Sequence, residues 1–273
     1  MNFVSRRRFN VTVTVFLALV IIGAFAVYDA SLYQVSFLSG WVLFAVMLFL
    51  ALFNVRKKLT VLPLGSNSTW LQLHVYAGWL VIVLFGEHVQ WRLPDGGLET
   101  TLALLFVLVA GSGVTGIVLS RTLPPRLTRR GEEVIFERIP TFISQIREEA
   151  EDLILQSAQE TQSSTISDFY MGHLSPFFDG PKNRVRHVLA AARSRFAMLN
   201  EINNIQRYLN QQESDYADRL RELVEKKDEL DFHYSLNLAL KAWLLVHVPL
   251  TYGLLILAVL HMVTAYAFSG GIG

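Results

Sequence analysis

The chain has 273 residues, with 24 Lys and Arg against 23 Asp and Glu, and no cysteine. That near-neutral balance excludes the markedly basic character of a nucleic-acid binder; 52% apolar residues and a mean hydropathy of +0.37 exclude a disordered chain and exceed what an ordinary soluble domain carries. Without cysteine there are no disulfides, no thiolate chemistry, no Cys-ligated iron–sulfur cluster and no covalently attached c-type haem.

The charges are partitioned. Residues 121–240 hold 16 of the 24 basic and 19 of the 23 acidic residues, which leaves 12 charges for the other 153 positions. Those positions read as membrane-embedded. A bilayer core about 30 Å thick needs about 20 mostly apolar helical residues, and five stretches meet or approach that length. They are Val11–Tyr28, Phe37–Phe53, Trp70–Val89, Leu98–Leu119 and Leu238–Phe268. The expected fold class is therefore all-α, a polytopic membrane protein with a transmembrane helical bundle and a helical insertion. Its domains are 1–120 (spans one to four), 121–237 (the insertion) and 238–273 (the fifth span and C-terminus).

Before the first span, Arg6, Arg7 and Arg8 form a basic flank. Ser5-Arg6-Arg7-Arg8-Phe9 also resembles a twin-arginine export signal and Ala24-Phe25-Ala26 a cleavage site. A basic flank ahead of a retained first span is the preferred reading. Arg56, Lys57 and Lys58 follow the second span, and Arg121, Arg126, Arg129 and Arg130 follow the fourth. Lys241 sits near the start of the fifth. Residues 29–36 and those after Phe268 carry no Lys or Arg, and Arg92 alone lies in 90–97. The positive-inside rule then places the N-terminus and residues 121–237 in the cytoplasm and the C-terminus outside, as in an integral protein of a bacterial inner membrane.

The insertion has no strand pattern. Val134, Ile135, Ile139, Phe142, Ile143 and Ile146 recur at helical spacing. A looser stretch with Asp179-Gly180-Pro181 follows, and 183–230 is rich in helix formers without Gly or Pro. No breaker lies between Leu230 and Val248, so the last helix of the insertion is expected to run directly into the fifth span. A helical hairpin or small bundle results, suited to docking a partner or shielding a site at the membrane face.

The chemistry lies in the histidines. Of seven, His74 and His88 are in the third span and His247 and His261 in the fifth, each pair 14 residues apart. Fourteen residues are nearly four helical turns, so the two rings of a pair point the same way within about 40° and are separated by about 21 Å. Both spans start in the cytoplasm. His74 is therefore expected level with His247, and His88 level with His261. Two opposed imidazoles can clamp the iron of a planar tetrapyrrole from both sides, and two such couples predict two stacked six-coordinate haems, one near each face. A single intramembrane histidine more often bonds a neighbouring helix; four in two equal pairs on parallel spans favour ligation.

Two helices carrying His pairs at this spacing resemble the four-helix core of the membrane di-haem cytochromes b, the cytochrome b subunits of respiratory and reductase complexes. The resemblance covers the second to fifth spans. It implies two b-type haems with His74, His88, His247 and His261 as axial iron ligands, a quinone as a further candidate ligand, and electron transport across the membrane between a redox partner and quinone or another acceptor. Partners so implied are membrane lipid and redox subunits such as a cytochrome c or an iron–sulfur protein. The first span and the long insertion are departures, and the Pro-Glu-Trp-Tyr signature of quinol-oxidising members is not present. The resemblance therefore points to an electron-transfer subunit attached to a dehydrogenase or reductase rather than to a stand-alone catalyst. A His-based metal-ion transporter and a membrane scaffold or sensor with structural histidines are the competing readings.

Around the histidines, Gly78, Gly111, Gly113 and Gly116 are candidates for porphyrin clearance or plain helix packing. Arg56, Lys57, Lys58, Lys241 and Arg92 are candidate propionate partners, and Glu87 a proton carrier or ligand-orienting group. Trp70, Trp79, Trp91 and Trp243 read as interfacial anchors. His233 continues the stripe of His247, and His173 and His187 repeat the spacing, without an apolar wall to suggest a third haem. Asp231, His233 and Tyr234 are candidates for a quinone pocket by position alone.

Overall fold

The computed structural model describes residues 3–30, 35–58, 66–129, 134–182, 184–189 and 193–268. Every regular element among them is helical. In chain order these are α1 (Phe3–Ala30), α2 (Val35–Lys58), α3 (Asn67–His88), α4 (Gly97–Leu127), α5 (Ile139–Thr161), α6 (Thr165–Phe169), α7 (Ser175–Phe178), α8 (Arg184–Val188), α9 (Arg193–Gln206) and α10 (Gln211–Phe268). A 3-10 turn over Phe136–Arg138 precedes α5, and one π turn over Tyr170–Leu174 joins α6 to α7.

Five helices, α1 to α4 and α10, are long and apolar enough to cross a membrane. In hydrocarbon a spanning segment must satisfy its backbone internally, which is why these stretches are helices and not strands. They are apolar around the whole circumference. Phe16 and Leu19 of α1, Leu104 of α4 and Ile256 of α10 are all exposed in the isolated chain. In water such surfaces would drive aggregation; against lipid tails they are at home. This is an integral membrane protein whose spans contact lipid.

The chain divides into two compact units, Met1–Ile117 with Leu244–Gly273, and Val118–Trp243. In the first unit, Phe25, Leu43, Val81, Leu84, Phe106 and Leu254 form one buried cluster, and all five spanning helices contribute to it. Phe85 and Phe106 stack beside it at 3.9 Å. α3 starts at Ser66, whose hydroxyl accepts the Thr69 amide at 3.2 Å. It ends in a turn with Gln90 and Trp91 in the left-handed region. The Trp91 amide reaches back to the Gly86 carbonyl, and its indole donates to Glu87 Oε1 at 3.1 Å. A Cβ on Gly86 would come within 2.5 Å of that indole, so glycine lets the ring fold over the helix end.

In the second unit, Ile139, Ile143, Ala150, Leu153 and Ile154 of α5 turn inward at helical spacing. They pack with Tyr170, Phe178, Ile202, Leu220 and Val224 and their neighbours in two apolar clusters. Sequence composition reads as helical from 183 to 230. The structure places α8, α9 and the start of α10 there, with a turn at Tyr208 between α9 and α10 closed by bonds to the Ile205 and Gln206 carbonyls. Asn210 then caps α10 reciprocally with Glu213: its side chain accepts the Glu213 amide, and its own amide donates to Glu213 Oε2. That capping box, not a glycine or proline, is the helix signal within 183–230. Beyond it α10 is one uninterrupted element of 58 residues, with Pro249 inside it.

Candidate metal-ligand centre

One cavity of about 560 Å³ lies in the first unit. It is walled by the start of α2, the end of α3, the start of α4 and the end of α10. α3 and α10 therefore finish at the same end of the bundle, called the upper end below, and α2 and α4 begin there. That common direction is what the level pairing of the histidines requires. The volume lies within the range of small-molecule and cofactor sites, about 300–1,000 Å³.

His88 and His261 both line this cavity. Their ring centres are 6.3 Å apart and their planes are inclined by 84°. A metal–imidazole bond is about 2 Å long. Two such bonds in line, with the distance from each nitrogen to its ring centre, span about 6 Å. The separation suits one metal between the rings. Most of the remaining lining is apolar and aromatic, with Phe37, Phe44, Met47, Phe85 and Met262 among it, and Trp41 donates its indole N–H to the Tyr266 hydroxyl at 2.8 Å; Ser36, Asp95 and Glu99 also line it. Arg92 stands at the rim.

Two residues of α2 hold His88 from behind. The Ser39 hydroxyl is 3.2 Å from His88 Nδ1 and 3.2 Å from the Ser36 carbonyl, and Ser39 is fully buried. A Cβ on Gly40 would meet His88 Cε1 at 3.1 Å. Neither residue stands out in the sequence. The signal, legible only with α2 and α3 side by side, is a Ser-Gly pair at the depth of a histidine.

The same pair recurs lower down. Ser112 of α4 lies 2.6 Å from His247 Nδ1 and 2.8 Å from the Val109 carbonyl. The Gly113 Cβ position lies 3.8 Å from His247 Cε1. His74 packs its ring against Phe53 of α2, centres 5.1 Å apart. His74 and His247 each sit 14 residues before their upper counterparts on helices of common direction, which by helix rise sets both about 21 Å below the upper couple.

Compared with known protein families, characterised proteins and solved structures, the chain matches none.

The remaining candidates separate cleanly. Cβ atoms on Gly78 and Gly111 would meet no protein atom within 4 Å, so open space lies beside both. The side chains of Arg56, Lys57 and Lys58 lie outside the described residues. Lys241 bonds Glu137 at 2.5 Å and lies over the Phe136 ring; its hydrogen bond holds the Glu137 carboxyl below the usual carboxylate range. Glu87 accepts from Trp91. His173 is exposed and stacks on Phe169 at 5.2 Å. His187 and His233 are buried, each edge-on to the Phe232 ring, and His187 Nε2 lies 3.7 Å from Asp228.

Asp231 is fully buried in the second unit. It closes on Lys227 at 2.5 Å, and the same ammonium donates to the Gly180 carbonyl at 2.7 Å and lies over the Phe177 ring. Both side chains are fully buried. Burial pushes the Lys227 ammonium below its ordinary value. Burial likewise pushes the Asp231 carboxyl up to about 6, against the pull of Lys227. Tyr234 stacks on Phe136 at 5.1 Å beneath the Arg184 guanidinium.

Proposed function

We propose that this protein is a di-haem b-type membrane cytochrome that carries electrons across the bilayer. The observation that carries the reading is the facing of His88 and His261 across 6.3 Å at the edge of an apolar cavity. Among the described residues no group of three or more His, Cys, Asp or Glu side chains is placed to hold a metal ion. A bare ion needs more protein ligands than two imidazoles supply. A tetrapyrrole brings its own four equatorial nitrogens, so two opposed histidines complete its iron. The donor set and the apolar wall fit that group.

His88 and His261 would hold the upper haem, and His74 and His247 the lower one. When bound, the haems supply one-electron redox chemistry. The chain's own residues do the rest. The spanning helices exclude water and keep the dielectric low. Ser39 and Ser112 orient two of the rings, and Gly40 gives His88 its place. Arg92 at the cavity rim is the cation for an upper propionate.

Loop charge supports the orientation: the N-terminus and residues 121–237 in the cytoplasm, the C-terminus outside, in a bacterial inner membrane. Electrons would pass between a redox partner, such as a cytochrome c or an iron–sulfur subunit, and quinone or another acceptor. The test is the spectrum of the purified chain. A dithionite-reduced b-type absorbance with two haems per chain supports the proposal. A colourless protein that binds a divalent ion stoichiometrically overturns it in favour of metal transport.

A further inference from the structure

Ser39-Gly40 on α2 and Ser112-Gly113 on α4 present the same atoms to two different histidines. In each case the serine oxygen faces Nδ1 of the ring, and the following glycine faces Cε1. In each case the hydroxyl also lies within bonding distance of the carbonyl three residues earlier on its own helix, Ser36 for Ser39 and Val109 for Ser112. A serine that bonds its own helix is ordinary in a membrane span. A histidine nitrogen as its second partner, twice, with glycine next to it, is not.

We propose that Ser39 and Ser112 are positioning residues that fix the tautomers of His88 and His247. A hydroxyl has one proton and two lone pairs. With the proton given to the helix carbonyl, the oxygen can only accept from the ring. Nδ1 must then carry the hydrogen, and Nε2 is left with its lone pair bare. That is the state a metal-ligating imidazole needs, and an acceptor behind the other ring nitrogen is the usual means of fixing it. The opposite arrangement, with the serine donating to Nδ1, would put the proton on Nε2 and block ligation there. Gly40 and Gly113 complete the device. A Cβ at Gly40 would crowd the ring at 3.1 Å, whereas at Gly113 it would make an ordinary contact at 3.8 Å.

The redox consequence rests on the proposed haem function, whereas the tautomer does not. A hydrogen bond accepted from Nδ1–H makes the ring a stronger electron donor to iron and favours the oxidised state. Its loss raises the potential of that haem and weakens its retention by about 10–100-fold. The effect is local: Ser39→Ala acts on the haem that His88→Ala removes, and Ser112→Ala on the haem that His247→Ala removes. Ser39→Thr and Ser112→Thr keep the hydroxyl and restore the wild-type values.

The experiment uses the full chain in lipid nanodiscs with histidine labelled by nitrogen-15. The wild-type spectrum is expected to show His88 and His247, identified by their disappearance in the alanine variants at those positions, with the proton on Nδ1. A redox titration is expected to show one couple rising in Ser39→Ala and the other in Ser112→Ala. Protonated Nε2 at both histidines in the wild-type spectrum overturns the proposal, and it needs no variant that might misfold. Two retained haems with unmoved potentials in both serine variants also overturn it. A wild-type chain without haem defeats the proposed function instead, and its nitrogen-15 spectrum still decides the serines: Nδ1–H supports the assignment and Nε2–H removes it.

Discussion

His88 of α3 and His261 of α10 face each other with ring centres 6.3 Å apart and planes inclined by 84°. The residues lie 173 positions apart in the chain, and the second unit is formed by residues between them. One contact therefore fixes the relative depth of two spanning helices. Because both helices finish at this end of the bundle, it also sets the depth of the histidines nearly four turns below. The proposed ladder of two couples rests on that one contact and the rise of an α-helix.

The glycines on these helices are not equivalent. Gly40→Ala sets a methyl 3.1 Å from His88 Cε1, tighter than an ordinary contact, whereas Gly78→Ala and Gly111→Ala enter open space. Gly40→Ala is expected to lower the content of the upper haem or shift its absorbance. Gly78 lies one turn from His74, and a methyl there or at Gly111 is expected to disturb the lower haem where that haem fills the open space. Spectra of the three variants, normalised to protein, check this.

In the second unit the buried Lys227–Asp231 pair is expected to be costly to break and cheap to replace whole. Lys227→Ala leaves the Asp231 carboxylate buried beside an empty site, and one of its oxygens, Oδ1, already has no hydrogen-bond partner. Loss of one partner of such a pair costs about 3–5 kcal/mol. Replacing both, Lys227→Met with Asp231→Leu, is expected to recover most of that. Thermal unfolding of the full chain in detergent, followed by circular dichroism, measures both. Equal destabilisation by the single and double variants would show that the pair is not the source of the loss.

Acidity at this pair has a defined sign. Asp231 is raised from 3.8 to about 6 by burial, so between those values the folded chain holds a proton that the unfolded chain releases. Stability from this group is therefore greatest below about 4 and falls as pH rises through about 6. Asp231→Asn removes the titration. The melting temperature of the native chain relative to Asp231→Asn is expected to fall from pH 4 to pH 7, and a rise over that range would contradict it.

Gly180 supplies the carbonyl that accepts from Lys227, and its φ is +123°. Ala has no clash to meet there, since nothing lies within 4 Å of a Cβ. The cost of Gly180→Ala is thus conformational, about 1–3 kcal/mol, and should appear as a lowered melting temperature with unchanged haem content.

The five spans were legible because lipid allows few alternatives: a long apolar stretch must become helix, and all five stretches did. The four intramembrane histidines stood out for the same reason, as ionisable groups where ionisable groups are costly. Ser39 and Ser112 did not. Serine is common in membrane helices, and only the facing helix turns it into a partner of a particular ring nitrogen. The turn before α10 was equally hidden, because a capping box such as Asn210 with Glu213 is built from residues that also favour helix interiors or turns. Lys227 read as surface charge in a charged segment, and Asp231 as a quinone-pocket candidate by position alone. Their burial depends on a turn at Asp179-Gly180-Pro181, 47 residues earlier than Lys227, which no local pattern connects to them.

The most direct test of the account is a haem count on paired variants. Wild-type protein is expected to hold two b-type haems per chain. His88→Ala, His261→Ala and the double variant should each hold one, because both rings serve the same iron; His74→Ala with His88→Ala should hold none. Two haems retained in the His88→Ala, His261→Ala double variant, or none in folded wild-type protein, would contradict the account.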